Sequence, residues 1–241
     1  EQGPVVRLEA EAEPLGEVPV ANTIGMIPGS ELPDEYVLLS AHFDSWDGAS
    51  GATDNGSGTV LMMEVMRILR HVYPHPKRTI LVGHWNGEEQ GLNGSRAFAE
   101  DHPEIVSGLQ VLLNHDDGTG RIDRITMDGI VGAGAYFSAW LENIPEELTR
   151  GITLVDPGMP GRGMTDNWSF ICAGAPAFGM NSTSWDYGTY TWHTNRDTLD
   201  KLVFEEVRHN ATLIAAMTYL AAEDPERVSR DRRDTFPTDA S

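Results

Sequence analysis

Apolar positions fall along this chain in two kinds of block. Short apolar runs bounded by turn residues occupy residues 36–41, 79–84, 109–114, 122–127, 152–155 and 177–181, and each reads as a buried strand. Between them, apolar residues recur at helical spacing over 59–72, 88–100, 135–142, 166–172 and 204–222. Residues 4–13 and 18–27 alternate apolar and polar and read as two antiparallel strands around Pro14–Gly16. Strands that alternate with helices predict an α/β fold, a three-layer sandwich with a mostly parallel, mixed central sheet. No internal repeat is present. In such sheets ligands bind at the carboxyl ends of the strands, which directs attention to the polar residues that follow each apolar run.

Composition narrows the picture. A chain of 241 residues with 40% hydrophobic content suits one large domain with its own core. Residues 1–223 carry all the periodic segments, and 224–241 (DPERVSRDRRDTFPTDAS) read as a charged surface tail. The net charge of −20 disfavours nucleic acid and anionic membranes as partners. No apolar run approaches the roughly 18 residues of a membrane span. Cys172 is the only cysteine, so no internal disulfide and no thiolate metal site is expected. Any metal falls to His, Asp and Glu.

Those residue types gather after the apolar runs. His42 and Asp44 follow the run at 36–41. An Asp two residues beyond a metal-bound His can accept its second ring N–H and fix its tautomer, so Asp44 is a supporting group rather than a ligand. Asp54 lies in GATDNGSG just before a helix, where it serves as a cap or as a carboxylate bridging two cations. Glu88 and Glu89 follow the run at 79–84. As a helix start they favour the helix dipole. As neighbours pointing in different directions, one can ligate a metal while the other faces an attacking water. Asn114-His115-Asp116-Asp117 closes the run at 109–114, and one carboxylate there can complete a second metal site. His193 is the remaining imidazole outside any apolar pattern, and Asp197 reads as a loop-stabilising group. Three carboxylates and a hydroxide balance two divalent ions, and two neutral imidazoles complete a nitrogen and oxygen donor set that suits zinc.

Five ordered segments carry a resemblance: HFDSWDGASGATDNGSG, WNGEEQGLNGS, LNHDDGTG, GMTDNWSFICAGAPAF and WHTNRDT. Together they resemble the co-catalytic di-zinc exopeptidases, a family of zinc aminopeptidase fold, and within it the carboxypeptidase Q branch, over roughly residues 20–220. The resemblance implies that His42 and Asp116 hold one zinc and Glu89 and His193 the other, with Asp54 bridging them. It makes Glu88 the general base, Asp44 the group that orients His42, and Asp116 rather than Asp117 the ligand. It also implies a cis peptide after Asp54, and a longer chain in which a protease-associated domain is inserted ahead of this region. The implied reaction is hydrolysis of terminal peptide bonds of peptides or dipeptides by a hydroxide bridged between two zincs.

The pattern departs from the family at the expected oxyanion stabiliser. Arg162 stands near the place of a tyrosine found in several relatives, and it is a candidate for binding a substrate carboxylate or the developing oxyanion. Trp192 precedes the last ligand where one relative has Tyr, and Tyr187 and Tyr190 are loose candidates for the same task. The resemblance points to a secreted or periplasmic enzyme and leaves a homodimer open. Two other readings remain: a glutaminyl cyclase-like acyl transferase using one zinc, and a non-catalytic ectodomain of the receptor type.

Overall fold

A computed structural model describes residues 3–160 and 165–233. In chain order the elements are β1 (Thr23–Ile27), β2 (Leu32–His42), α1 (Ser57–Val72), β3 (Arg78–Trp85), α2 (Asn93–Asp101) and α3 (Pro103–Gly108). They continue with β4 (Leu109–Asn114), β5 (Ile122–Thr126), α4 (Ala133–Glu142), α5 (Glu146–Thr149), β6 (Thr153–Val155), α6 (Asn167–Cys172), β7 (Ala177–Ser182) and α7 (Phe204–Glu223). One seven-stranded sheet runs in the order β1-β3-β2-β4-β7-β5-β6. The central strands β3, β2, β4 and β7 are parallel, β1 is antiparallel to β3, and β5 is antiparallel to β7. The three-layer α/β sandwich expected from the periodicity is the fold observed.

Strand alternation sorts the core into two layers. Val37, Leu39, Ile80, Val82, Val111 and Leu113 face one side and meet Leu61, Val65, Leu213, Ile214 and Met217 of α1 and α7. Leu38, Leu81, Trp85 and Leu112 face the other and meet Phe98 and Phe170 of α2 and α6. β3 is buried along its whole length, which explains why TILVGH reads as an unbroken apolar run. Among the described residues, no helix is long and apolar enough to cross a membrane.

The termini correct two expectations. Of the hairpin expected over 4–13 and 18–27, only Thr23–Ile27 is a strand. Residues 3–22 form neither helix nor strand, and Val5, Val6, Leu8 and Leu15 are 86–95% exposed. β1 takes its backbone partners from β3, and a two-stranded ribbon with no face to bury is marginal in water. The charged segment expected as a surface tail is, over 224–233, a strap. Arg230 donates to the carbonyls of Val106, Ser107, Leu109 and Gly174, and Arg232 donates to Ile171. Val228 is buried. Its charges attach the segment to helix-end and loop carbonyls, a use that composition does not reveal.

Arg78 fastens the end of α7 to the sheet. It is 1% exposed, donates from Nε to Glu35 at 2.7 Å, and donates from Nη1 to the carbonyls of Ala222 and Asp224. Removing it strands a carboxylate and two helix-end carbonyls. Arg78→Ala is expected to lower the free energy of unfolding by roughly 2–4 kcal/mol. Urea unfolding followed by far-UV circular dichroism checks this, and a loss below about 0.5 kcal/mol contradicts it.

Candidate metal centre

The carboxyl ends of β2, β3 and β4 lie side by side because their register pairs His42 with Trp85 and Ser40 with Asn114. A chain of buried hydrogen bonds ties these ends together. Trp85 Nε1 donates to Ser40 Oγ at 2.7 Å, Ser40 Oγ donates to Asn114 Oδ1 at 2.6 Å, and Asn114 Nδ2 donates to Thr165 Oγ1 at 3.0 Å. Each member stands one to three residues before a candidate site residue: Glu88, His42, Asp116 and Asp166. The apolar sheet therefore delivers four polar side chains to one edge at fixed spacing.

Asp54 enters from the side. It precedes α1, its peptide bond to Asn55 is cis, and its side chain caps no helix. Asn55 fixes the turn by donating to the His115 carbonyl at 3.0 Å and accepting from Gly58 N at 3.1 Å. Gly58 has to lack a side chain, since a Cβ would lie 2.6 Å from the His115 carbonyl oxygen.

Two groups of donors meet at Asp54. Its Oδ1 lies 3.3 Å from His42 Nε2, which is itself 3.0 Å from Asp116 Oδ1. Its Oδ2 lies 3.5 Å from His193 Nε2, which is 3.1 Å from Glu89 Oε2. In each of the sets His42–Asp54–Asp116 and Asp54–Glu89–His193, one donor atom per residue lies within 4.8 Å of the others, and His42–Glu88–Glu89 forms a third such set. These residues fit a metal. Asp54 Oδ2 and Glu89 Oε1 are buried with no hydrogen-bond partner among the described residues, an arrangement too costly for bare carboxylates without a cation. Nitrogen and oxygen donors in groups of three suit zinc.

The proton affinities carry the same message. Burial first, then Asp116, pushes the Glu88 carboxyl up to about 9. Burial and Asp54 push Glu89 up to about 7. Asp166, fully enclosed and without a hydrogen-bond partner at either oxygen among the described residues, is pushed up to about 7, chiefly by burial. Burial alone would lower His42, but the Asp116 charge, with hydrogen bonds to Asp116, Asp44 and Asp54, outweighs it and raises it. A bound cation reverses this logic by favouring every carboxylate and every neutral imidazole.

Supporting residues differ from expectation in instructive ways. The helix expected at 88–100 begins only at Asn93, because Gly91 takes φ 109° and Leu92 φ 61°. Glu88 and Glu89 therefore sit on a turn, and their amides are held at 3.2 and 3.3 Å by the two oxygens of Asp44. Asp44 also meets His42 Nδ1, through its carbonyl at 3.1 Å and its carboxylate at 3.5 Å. Asp197 does more than steady its own loop. Its buried carboxylate accepts from Thr53 N, Thr53 Oγ1 and Asp54 N at 2.7–2.9 Å, which locks the His193 loop to the Asp54 turn. Asp117 points elsewhere and accepts from Ser182 N at 2.9 Å. Tyr187 lies beside the group, where burial and then Asp116 and Asp54 raise its phenol. Tyr190 instead packs under the Arg196 guanidinium at 4.9 Å. Trp192 stacks on His193 at 4.1 Å. Arg162 lies outside the described residues. Sequence reasoning missed Asp166, whose place before α6 reads as an ordinary helix start, and Trp46, which carries no sequence signal of its own.

A cavity of about 240 Å³ opens onto this group, lined by Asp54, Glu88, Glu89, Leu92, Asp116 and His193 among others. A larger hollow of about 530 Å³ between α2 and α6 has no such donor set.

The raised groups have a consequence for the metal-free chain. A carboxyl whose folded value lies above its unfolded one binds more protons when folded, so its contribution is favourable at low pH and is lost as pH rises. With Glu88 near 9 and His42 raised, the free energy of unfolding of metal-free protein is expected to fall between about pH 7 and pH 9, and the slope is expected to flatten with zinc. Thermal melting across that range, with and without zinc, checks this. A flat metal-free profile contradicts it.

Comparison with known proteins places the chain. The model of peptidase family M28 matches residues 22–218. Carboxypeptidase Q of Mus musculus is 27% identical over 226 residues, covering 94% of this chain and 47% of that protein. The chain thus spans about half the length of the curated relatives it matches. A peptidase M28 precursor from Shewanella amazonensis superposes with a TM-score of 0.77 at 28% identity, over 86% of this chain and 46% of that one. A zinc aminopeptidase from Bacillus subtilis shares the fold, with a TM-score of 0.67 at 24% identity over 87% of this chain and 52% of that one. With the matched region running from β1 into α7 and spanning every donor described above, the chain belongs to peptidase family M28.

Proposed function

We propose that this chain is the catalytic part of a zinc-dependent exopeptidase that releases terminal residues from peptides or dipeptides. The observation that carries the reading is the sharing of Asp54 between two three-donor sets, each with an imidazole and a further carboxylate. In this reading His42 and Asp116 hold one zinc, Glu89 and His193 the other, and Asp54 both. Bound there, the ions lower the pKa of water and polarise the scissile carbonyl.

The remaining chemistry belongs to the chain. Glu88 lies outside the two sets that share Asp54 and lines the cavity beside them, so in this reading it is the carboxylate free to move a proton. It accepts the proton of the attacking water and returns it to the leaving amine. A cation bound beside it would favour the ionised form of Glu88, which the base step requires. Asp44 holds the turn that carries both acids by accepting from the amides of Glu88 and Glu89. The acidic lining attracts a free α-ammonium, and about 240 Å³ is small beside ordinary ligand pockets, which favours one terminal residue over a mid-chain segment. A one-zinc acyl transferase needs only one of the two donor sets, and a non-catalytic ectodomain needs neither them nor Glu88.

Two experiments test this reading. Purified protein is expected to carry two zinc ions per chain and to hydrolyse aminoacyl amides until a chelator removes them. Glu88→Gln is expected to keep both ions and lose at least 10²-fold in kcat. Metal content by mass spectrometry beside an amidase assay decides, and near-wild-type turnover in Glu88→Gln removes Glu88 as the base. Asp116→Ala is expected to lose an ion, whereas Asp117→Ala keeps both. The opposite pattern reverses their roles.

A further inference from the structure

Residues 42–46 form a row of attachments to the candidate site. His42 contributes a donor, and Asp44 holds the amides of Glu88 and Glu89. Ser45 Oγ donates to the Asp54 carbonyl at 2.8 Å. Trp46 completes the row. Its indole Nε1 donates to Glu89 Oε2 at 2.6 Å, and its ring lies 5.4 Å from the His193 ring. Trp46 is 48% exposed, so core burial does not explain where it sits.

We infer that Trp46 is a positioning residue for one of the two metal sites, the one formed by Asp54, Glu89 and His193. The inference rests on the two-zinc reading given above. An indole N–H only donates and never ligates a metal. By donating to Oε2, the oxygen that also lies 3.1 Å from His193 Nε2, it fixes the rotation of the Glu89 carboxylate within this donor set. The need for such a clamp is local. His193 is 36% exposed and takes φ 56°, a strained value for a residue with a side chain. His42 is 1% exposed and takes its contacts within the core. Trp192 stacks on His193 and Trp46 lies against it at a 47° tilt, so two indoles pack on the exposed imidazole. The opposite set, His42–Asp54–Asp116, makes no contact with an indole N–H among the described residues.

Trp46→Phe removes the donor and keeps a ring against His193. Metal-free protein is titrated with zinc in competition with a chromophoric chelator, and metal-free melting is recorded alongside. One of the two equivalents is expected to weaken by about 10–100-fold, with the other unchanged and the melting temperature held. Trp185→Phe, which alters another half-exposed indole, is expected to bind as wild type does. Wild-type affinity at both equivalents in Trp46→Phe overturns the inference. Equal weakening of both also overturns it, since that places the effect on Asp54 or on the fold. A wild-type chain that takes up only one equivalent refutes the two-zinc reading, and the role of Trp46 falls with it.

Discussion

Five acids, Asp54, Glu88, Glu89, Asp116 and Asp166, are brought to one edge of the sheet with only two imidazoles, His42 and His193, among them. Like charges at such spacing repel, and burial removes the water that would screen them. The consequences are visible in the raised proton affinities of Glu88, Glu89 and Asp166 and in carboxylate oxygens left without partners. Much of the local structure follows from this electrostatic demand. It calls for a cation at the centre, and it also calls for a frame stiff enough to hold the acids together before one arrives.

The frame is apolar. Two core layers fix β2, β3 and β4 in register, and the Trp85–Ser40–Asn114–Thr165 chain of hydrogen bonds locks their ends beneath the acids. Polar groups that face each other in a dry interior hold geometry well when every member is paired, as these are. Around the acids a second tier acts on backbone rather than on side chains. Asp44 holds the turn of Glu88 and Glu89, and Asp197 holds the turn of Asp54. Carboxylates that accept backbone N–H groups have their charge satisfied without a metal. This separates the supporting acids from the candidate ligands on physical grounds.

The two donor sets are unequal in setting. His42, Asp54 and Asp116 are enclosed by the sheet and α1, whereas His193 comes from a loop and packs against Trp46 and Trp192. A site on a strand end inherits the rigidity of the core. A site on a loop has to be fastened by specific contacts, and the attachments of Trp46 and Asp197 are of that kind.

The sequence by itself determined the layers, the central strands, the long helices, and most of the residues able to carry chemistry. Burial periodicity is a local signal: TILVGH and LQVLLN are apolar because their strands are covered on both faces, and the polar residues that follow mark where the chain leaves the core. The five segments carry the family resemblance, and with it the implied ligands His42, Asp54, Glu89, Asp116 and His193. Only the tertiary structure decided which oxygen of Asp54 faces which imidazole, that α2 starts after Glu88 and Glu89 rather than on them, and that Asp116 turns inward while Asp117 binds Ser182. It also decided that residues 3–22 form no strand up to Thr23 and that 224–233 is a strap. These outcomes depend on register and turn torsions summed over contacts far apart in the chain. Trp46 meets Glu89 across 43 positions, and Asp197 meets Thr53 across 144. Local patterning carries no record of such pairings, because the same side chains in the same order satisfy it equally well unpaired.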